Sequence, residues 1–115
     1  MMGMLYYGDR AEPIEFPDAL LSHLKVVITT KLRRKESFTL GWRHTITDPA
    51  GRSALWLQES IPLRFVFTSV EAGKLDSAVL QDFAIRASSG SGLQIELDSW
   101  YAAETAVPDR LVTAA

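Results

Sequence analysis

Apolar positions after Asp18 recur at a helical spacing. Leu20, Leu21, Leu24, Val27, Ile28 and Leu32 fall on one stripe, and Ser22, Lys25, Thr29 and Arg33 fall opposite it. The pattern then switches to strict alternation. Phe38, Leu40, Trp42, His44 and Ile46 take one side, and Ser37, Thr39, Gly41, Arg43 and Thr45 take the other. This predicts a helix running into a strand, Ser37 to Ile46. Asp18 follows Pro17 and is the expected N-cap of the helix. Val26 to Thr30 are β-branched, so a strand from Lys25 to Thr30 competes on propensity alone. The apolar stripe decides for the helix.

The same reading extends both ways. Met4–Tyr7 and Pro13–Phe16 are short strands around the turn at Gly8. Beyond the long strand, Thr47–Gly51 is a turn with Pro49 at its second position, and Arg52–Gln58 returns as a strand. Whether Trp56 faces the core depends on which way Leu55 and Leu57 point. Leu63–Phe67 is a further strand, with Leu63, Phe65 and Phe67 inward, and Thr68–Gly73 is a loop. Lys74–Ser88 is a second helix with the stripe Leu75, Val79, Leu80, Phe83, Ala84 and Ala87. Ser88–Gly92 stops it, and Leu93, Ile95 and Leu97 mark a last strand. The order β-β-α-β-β-β-α-β predicts an α+β fold, a largely antiparallel sheet of five to six strands with two helices on one face. Residues 3–97 form the expected single domain. Residues 98–115 read as a loosely ordered, acidic and Ala-rich tail, on which Trp100 and Tyr101 are available for docking.

Composition narrows the function classes. The chain has 115 residues, the length of one domain, and its 47% hydrophobic content is ordinary for a globular protein. It has no cysteine, which removes disulfides, thiolate nucleophiles and cysteine-bound zinc together. Its apolar runs fall far short of the roughly 20 residues needed to span a bilayer, and its start lacks the features of a secretory leader. A cytoplasmic protein without membrane contact is the default expectation.

The net charge of −2 conceals an asymmetry. The stretch Lys25 to Arg64 carries +5, and the remainder carries −7. The basic part includes the joint Lys31, Arg33, Arg34 and Lys35, with Arg43, Arg52 and Arg64 further on. Beside Trp56 these residues are candidate nucleic-acid or anion contacts, the cations for phosphates and the indole for a base. The competing explanation is electrostatic: cations at a helix C-terminus suit its negative pole, and the two charged segments neutralise each other.

Four pieces of the chain carry a resemblance. Leu5-Tyr6-Tyr7-Gly8, Leu24 to Ile28, Lys31-Leu32-Arg33-Arg34 with Glu36-Ser37-Phe38, and Ser88 to Leu93 resemble a family of short actinobacterial proteins of unknown function. The resemblance spans residues 3 to about 97. Some members carry the label ATP-dependent DNA ligase. Such ligases take AMP on the lysine of a K-x-D-G motif. The nearest match here, Lys74-Leu75-Asp76-Ser77, lacks the glycine, and the chain is too short for an adenylation domain. The resemblance implies no functional residues.

No catalytic, cofactor or metal site emerges from the residues. His23, His44 and Glu15 are the candidate metal ligands, without close ligand spacing. Ser89-Gly90-Ser91-Gly92 follows a helix, so it is neither a nucleophile elbow nor a phosphate loop. The expectation is a small non-enzymatic binding or regulatory module, self-associating as a homodimer through an open sheet face or edge. The alternative is a nucleic-acid accessory protein using residues 31–64.

Overall fold

The computed structural model describes residues 1–44, 51–70 and 72–103. The elements are β1 (Met2–Tyr7), β2 (Ile14–Pro17), α1 (Asp18–Arg33), β3 (Phe38–Arg43), β4 (Arg52–Leu57), β5 (Leu63–Val66), α2 (Ser77–Ala87) and β6 (Leu93–Ile95). Residues 97–103 add a short third helical segment. The fold is α+β, as expected. Its six strands divide into two three-stranded sheets, ordered β2-β1-β5 and β4-β3-β6. Pairing is antiparallel except between β3 and β6. The expected single sheet is broken because β5 pairs with β1 and not with β4, its neighbour in sequence. The Tyr7 hydroxyl, donating to the Trp56 carbonyl at 2.6 Å, stitches the sheets where the ladder stops.

One core serves both sheets. α1 packs on β1 and β2, α2 on β6 and β3, and the helices on each other. Leu5 and Phe16 from the first sheet join Phe38, Leu40, Trp42, Leu57, Leu93 and Ile95 from the second. Phe16 meets the edge of Trp42 at 5.2 Å, a direct ring contact between the sheets. The helical stripe is buried as read at Leu20, Leu21, Leu24, Val27 and Ile28, and Phe83 of α2 is buried with it.

Asp18 does not have its expected role. The helix begins at Asp18 itself, Pro17 occupies the cap, and no side chain caps the first turn. The Asp18 carboxylate reaches across the fold, accepting from Thr68 N–H at 3.1 Å and Ser69 N–H at 3.3 Å. Gly3 makes room for it. A Cβ there would lie 2.6 Å from Asp18 Oδ1, 2.7 Å from Leu21 Cδ2 and 2.9 Å from the Val66 carbonyl.

The other end of α1 closes in a Schellman pattern. Glu36 N–H donates to the Lys31 carbonyl and Lys35 N–H to that of Leu32, with Lys35 at φ 61° where glycine is the usual occupant. The hairpin register pairs Phe38 with Leu57, Leu40 with Leu55 and Trp42 with Ser53 on the inner face. Trp56 therefore faces outward. β3 ends at Arg43, and the expected extension through Thr45 and Ile46, with most of the turn, lies outside the described residues.

α2 is shorter than the sequence pattern suggests. Asp76 is its N-cap, accepting from Ala78 N–H at 2.9 Å, so Leu75 precedes the helix. Leu75 is 47% exposed and does not belong to the buried stripe. Residues 98–103, read from sequence as the start of the tail, are helical, and Trp100 packs 6.2 Å from the Phe83 ring. The rest of that tail lies outside the described residues.

Two substitutions of opposite sign check this local account. Gly3→Ala forces a side chain into the contact between β1 and α1 and is expected to cost about 1–3 kcal/mol. Lys35→Gly removes the left-handed strain and is expected to stabilise by roughly 1 kcal/mol. Urea midpoints moving in opposite directions at constant slope are the readout.

Candidate functional site

The structure disperses the basic residues singled out above. Lys31 is buried, 8% exposed. Its position follows the helical spacing of Val27 and Ile28, and its ammonium is held by the Glu36 carboxylate at 3.0 Å and by Ser88 Oγ at 3.1 Å. It ties the end of α1 to the end of α2 and is not a surface contact for an anion. Arg33, Arg34 and Lys35 remain exposed at the end of α1.

Arg43 and Arg52 stand directly opposite each other on the outer face of the second sheet, and both are exposed. Neither forms a salt bridge among the described residues. Gly41 and Ala54 floor the next outward position, and beyond them comes Trp56, 55% exposed and opposite Thr39. Arg64 lies apart, on the first sheet, with its guanidinium 5.4 Å from the Tyr6 ring centre.

The two histidines are not brought together. Asp76 N–H donates to His23 Nε2 at 2.9 Å, so that nitrogen is unprotonated; Nδ1–H then donates to the Ala19 carbonyl at 2.7 Å. His44 stands at the end of β3, its Nε2 2.8 Å from Ser53 Oγ. Among the described residues, no group of three or more His, Asp or Glu side chains is placed to hold a metal ion.

A concave surface runs along the outer side of α1. It is a groove of about 700 Å³, walled on one side by the helix and on the other by the segment from Phe67 to Leu75. Its origin is local. Asp18 holds that segment at Thr68 and Ser69, and His23 holds it at Asp76. Between these two points Val70, Ala72, Gly73, Lys74 and Leu75 line the space beside the helix. Val26, Phe67, Val70 and Leu75 supply apolar lining, with Met1 at one end. Lys25, Arg33 and Lys74 bring three cations to the groove. Lys25 Nζ sits 5.9 Å from the centre of the Phe67 ring. Among the described lining residues Asp18 is the sole carboxylate, and its Oδ2 already accepts two backbone N–H groups.

The sequence reading passed over this groove, although two signals were present. Val26 sits beside the buried stripe of α1 without belonging to it, and Val70 is an apolar residue in a polar loop. Val70 is fully exposed, and Leu75 and Met1 are also among the exposed large apolar side chains. All three of these exposed apolar residues line the same cavity. An apolar floor with cations around it can bind and orient a molecule.

A family model described as a domain of unknown function, DUF7882, matches residues 2–98. No curated protein and no solved structure matches the chain.

The assignment at His23 has a direct readout. Long-range proton–nitrogen spectra are expected to show Nε2 as the unprotonated nitrogen and Nδ1 as the protonated one. His23→Leu leaves the Asp76 N–H without its acceptor. It is expected to cost about 1–3 kcal/mol and to speed hydrogen exchange at the start of α2.

Proposed function

We propose that this chain, which belongs to the family of the domain of unknown function DUF7882, is a non-enzymatic binding module that takes an apolar ligand in the groove along α1. The single observation behind this reading is the convergence of Met1, Val70 and Leu75, all exposed, on one cavity of about 700 Å³. That volume lies within the roughly 300–1,000 Å³ of small-molecule sites. The non-catalytic part rests on how the acid–base groups are engaged. Both ring nitrogens of His23 bond to backbone, and the Asp76 carboxylate caps α2. The contact that most resembles a nucleophile and its base is Ser53 Oγ with His44 Nε2. It lies at the loop end of the β3–β4 hairpin, where His44 N–H also donates to the Gly51 carbonyl.

A second reading, nucleic-acid contact, is favoured by Arg43 facing Arg52 beside an exposed Trp56. Like charges placed directly opposite destabilise a ladder unless an anion lies between them. Between the guanidinium pair and the indole lie Ala54 and Gly41, and the Gln94 amide covers Gly41, with Oε1 2.7 Å from where a Cβ would stand.

Each reading has its own experiment. Nile red, an uncharged apolar dye, is expected to brighten with the wild-type chain. Val26→Asn/Leu75→Ser is expected to lose about ten-fold in dye affinity at unchanged melting temperature, since neither residue is in the core. A serine-directed fluorophosphonate is expected to leave Ser53 unlabelled, and labelling that depends on His44 would overturn the non-enzymatic part. For the second reading, the anisotropy of a labelled single-stranded oligonucleotide should rise at low salt and fall back as salt increases. In Arg43→Ala/Arg52→Ala that rise should vanish while the fold becomes slightly more stable.

A further inference from the structure

We infer that the free edge of β4 pairs with β4 of a second copy of this chain, antiparallel about a two-fold axis at Ala54. This surface is independent of the groove along α1. The β3–β4 register sets Arg43 opposite Arg52, and one step further on His44 N–H donates to the Gly51 carbonyl. Hydrogen-bonded positions alternate along an antiparallel ladder. Ser53, Leu55 and Leu57 therefore bond toward β3, and the N–H and C=O groups of Arg52, Ala54 and Trp56 point away from it. The Tyr7 hydroxyl, which donates to the Trp56 carbonyl, fits this phase. The other outward groups of these three residues have no hydrogen-bond partner among the described residues. The remaining edges are less open. β2 contains Pro17, which has no N–H, and β5 has four residues. At β6 the Gln94 carbonyl already accepts from Arg86 Nη1 at 2.5 Å. β4 has six residues and no proline, and an unpaired edge of that kind is a template for a further strand.

The order of side chains along β4 selects the partner. Arg52 and Trp56 lie two residues to either side of Ala54. Two copies paired with Ala54 opposite Ala54 bring all three outward positions into rungs, and moving the axis by one residue leaves one of them out. In that register each Arg52 stands opposite Trp56 of the other copy, on the outer face, where both are exposed. A guanidinium against an indole is an attractive cross-strand pair. It gives Arg52 a favourable neighbour, where its own hairpin sets it against Arg43. The Trp56 carbonyl has a second lone pair, so it can accept from both Tyr7 and the new strand. An unrelated extended peptide would meet the backbone without supplying the two Arg–Trp pairs.

The test is sedimentation velocity of the full chain over a dilution series, and a monomer–dimer equilibrium is expected. Trp56→Arg sets like charges opposite each other in both symmetry-related rungs and is expected to weaken association about ten-fold. Arg52→Glu/Trp56→Arg puts opposite charges at the same rungs and is expected to return it to within about two-fold of the wild-type chain. Ala54→Pro removes an outward N–H and no bond to β3, so it is expected to weaken association about ten-fold with the fold retained. Cross-linking reads the axis without disturbing the strand. The chain has no cysteine, so Ala54→Cys places one thiol per copy at the axis, with Cα atoms about 5.5 Å apart and within reach of a disulfide. Mild oxidation is expected to link it as a dimer, and to leave a control, Glu96→Cys at another exposed position, unlinked. A monomer at every concentration, association unmoved by Trp56→Arg, a double variant no better than Trp56→Arg alone, or cross-linking no faster at 54 than at 96 would each overturn the inference. So would an extended peptide that binds β4 of a chain that stays monomeric.

Discussion

Two polar side chains on the first turns of α1 reach into the second half of the chain. Asp18 holds the backbone of Thr68 and Ser69, and His23 holds that of Asp76. A hydrogen bond to a charged group contributes roughly 1.5–3 kcal/mol and a neutral one about 0.5–1.5 kcal/mol. Such values are small beside the burial of Leu20, Leu21 and Leu24, which fixes α1 on the sheets. Their importance is geometric. They determine where the segment after β5 crosses the helix and where α2 begins. They can act only because Gly3 lets α1 settle close to β1, so one missing methyl group on a strand conditions the placement of a segment some sixty residues later.

The segment between these points differs energetically from the rest of the fold. Its exposed Val70 and Leu75 contribute nothing to the core, and its described ties are the polar anchors at Thr68, Ser69 and Asp76, with the Thr68 hydroxyl donating to the Met2 carbonyl and Phe67 packing at its start. Exposed stretches with few apolar contacts belong to the low-stability part of a structure. Core and groove are accordingly built by different means. Tight apolar packing holds the sheets and helices, and directed hydrogen bonds hold the trough open.

The sequence made the local elements legible because local elements have a period. The stripe of α1 and the alternation of β3 and β4 are visible residue by residue, and Leu55 and Leu57 pointing inward place Trp56 outside. Strand neighbours have no such signal, since alternation says which face a residue takes and nothing about which strand lies beside it. That is why one sheet was read where β5 pairs with β1 and the ladder divides. Lys31 was misread by grouping it with its basic neighbours. Its spacing from Val27 and Ile28 already put it on the buried face. Asp18 matched the pattern of a cap, but a carboxylate at a helix start has several possible clients, and the long-range one won. The groove lay in residues that fitted no period at all, Val26 off the stripe and Val70 in the loop.

The disposition of donors and acceptors carries the functional argument furthest. The described acceptors beside the groove are engaged internally: the Asp18 carboxylate by two amides, His23 Nε2 by the Asp76 N–H, the Asp76 carboxylate by the start of α2. Lys31, the cation with the most buried position, is likewise neutralised by Glu36. Among the described lining residues of the trough, Lys25, Arg33 and Lys74 stand with the apolar Val26, Phe67, Val70 and Leu75 and with the hydroxyls of Ser22, Thr29 and Thr30. Binding is favourable where a partner supplies what the site lacks.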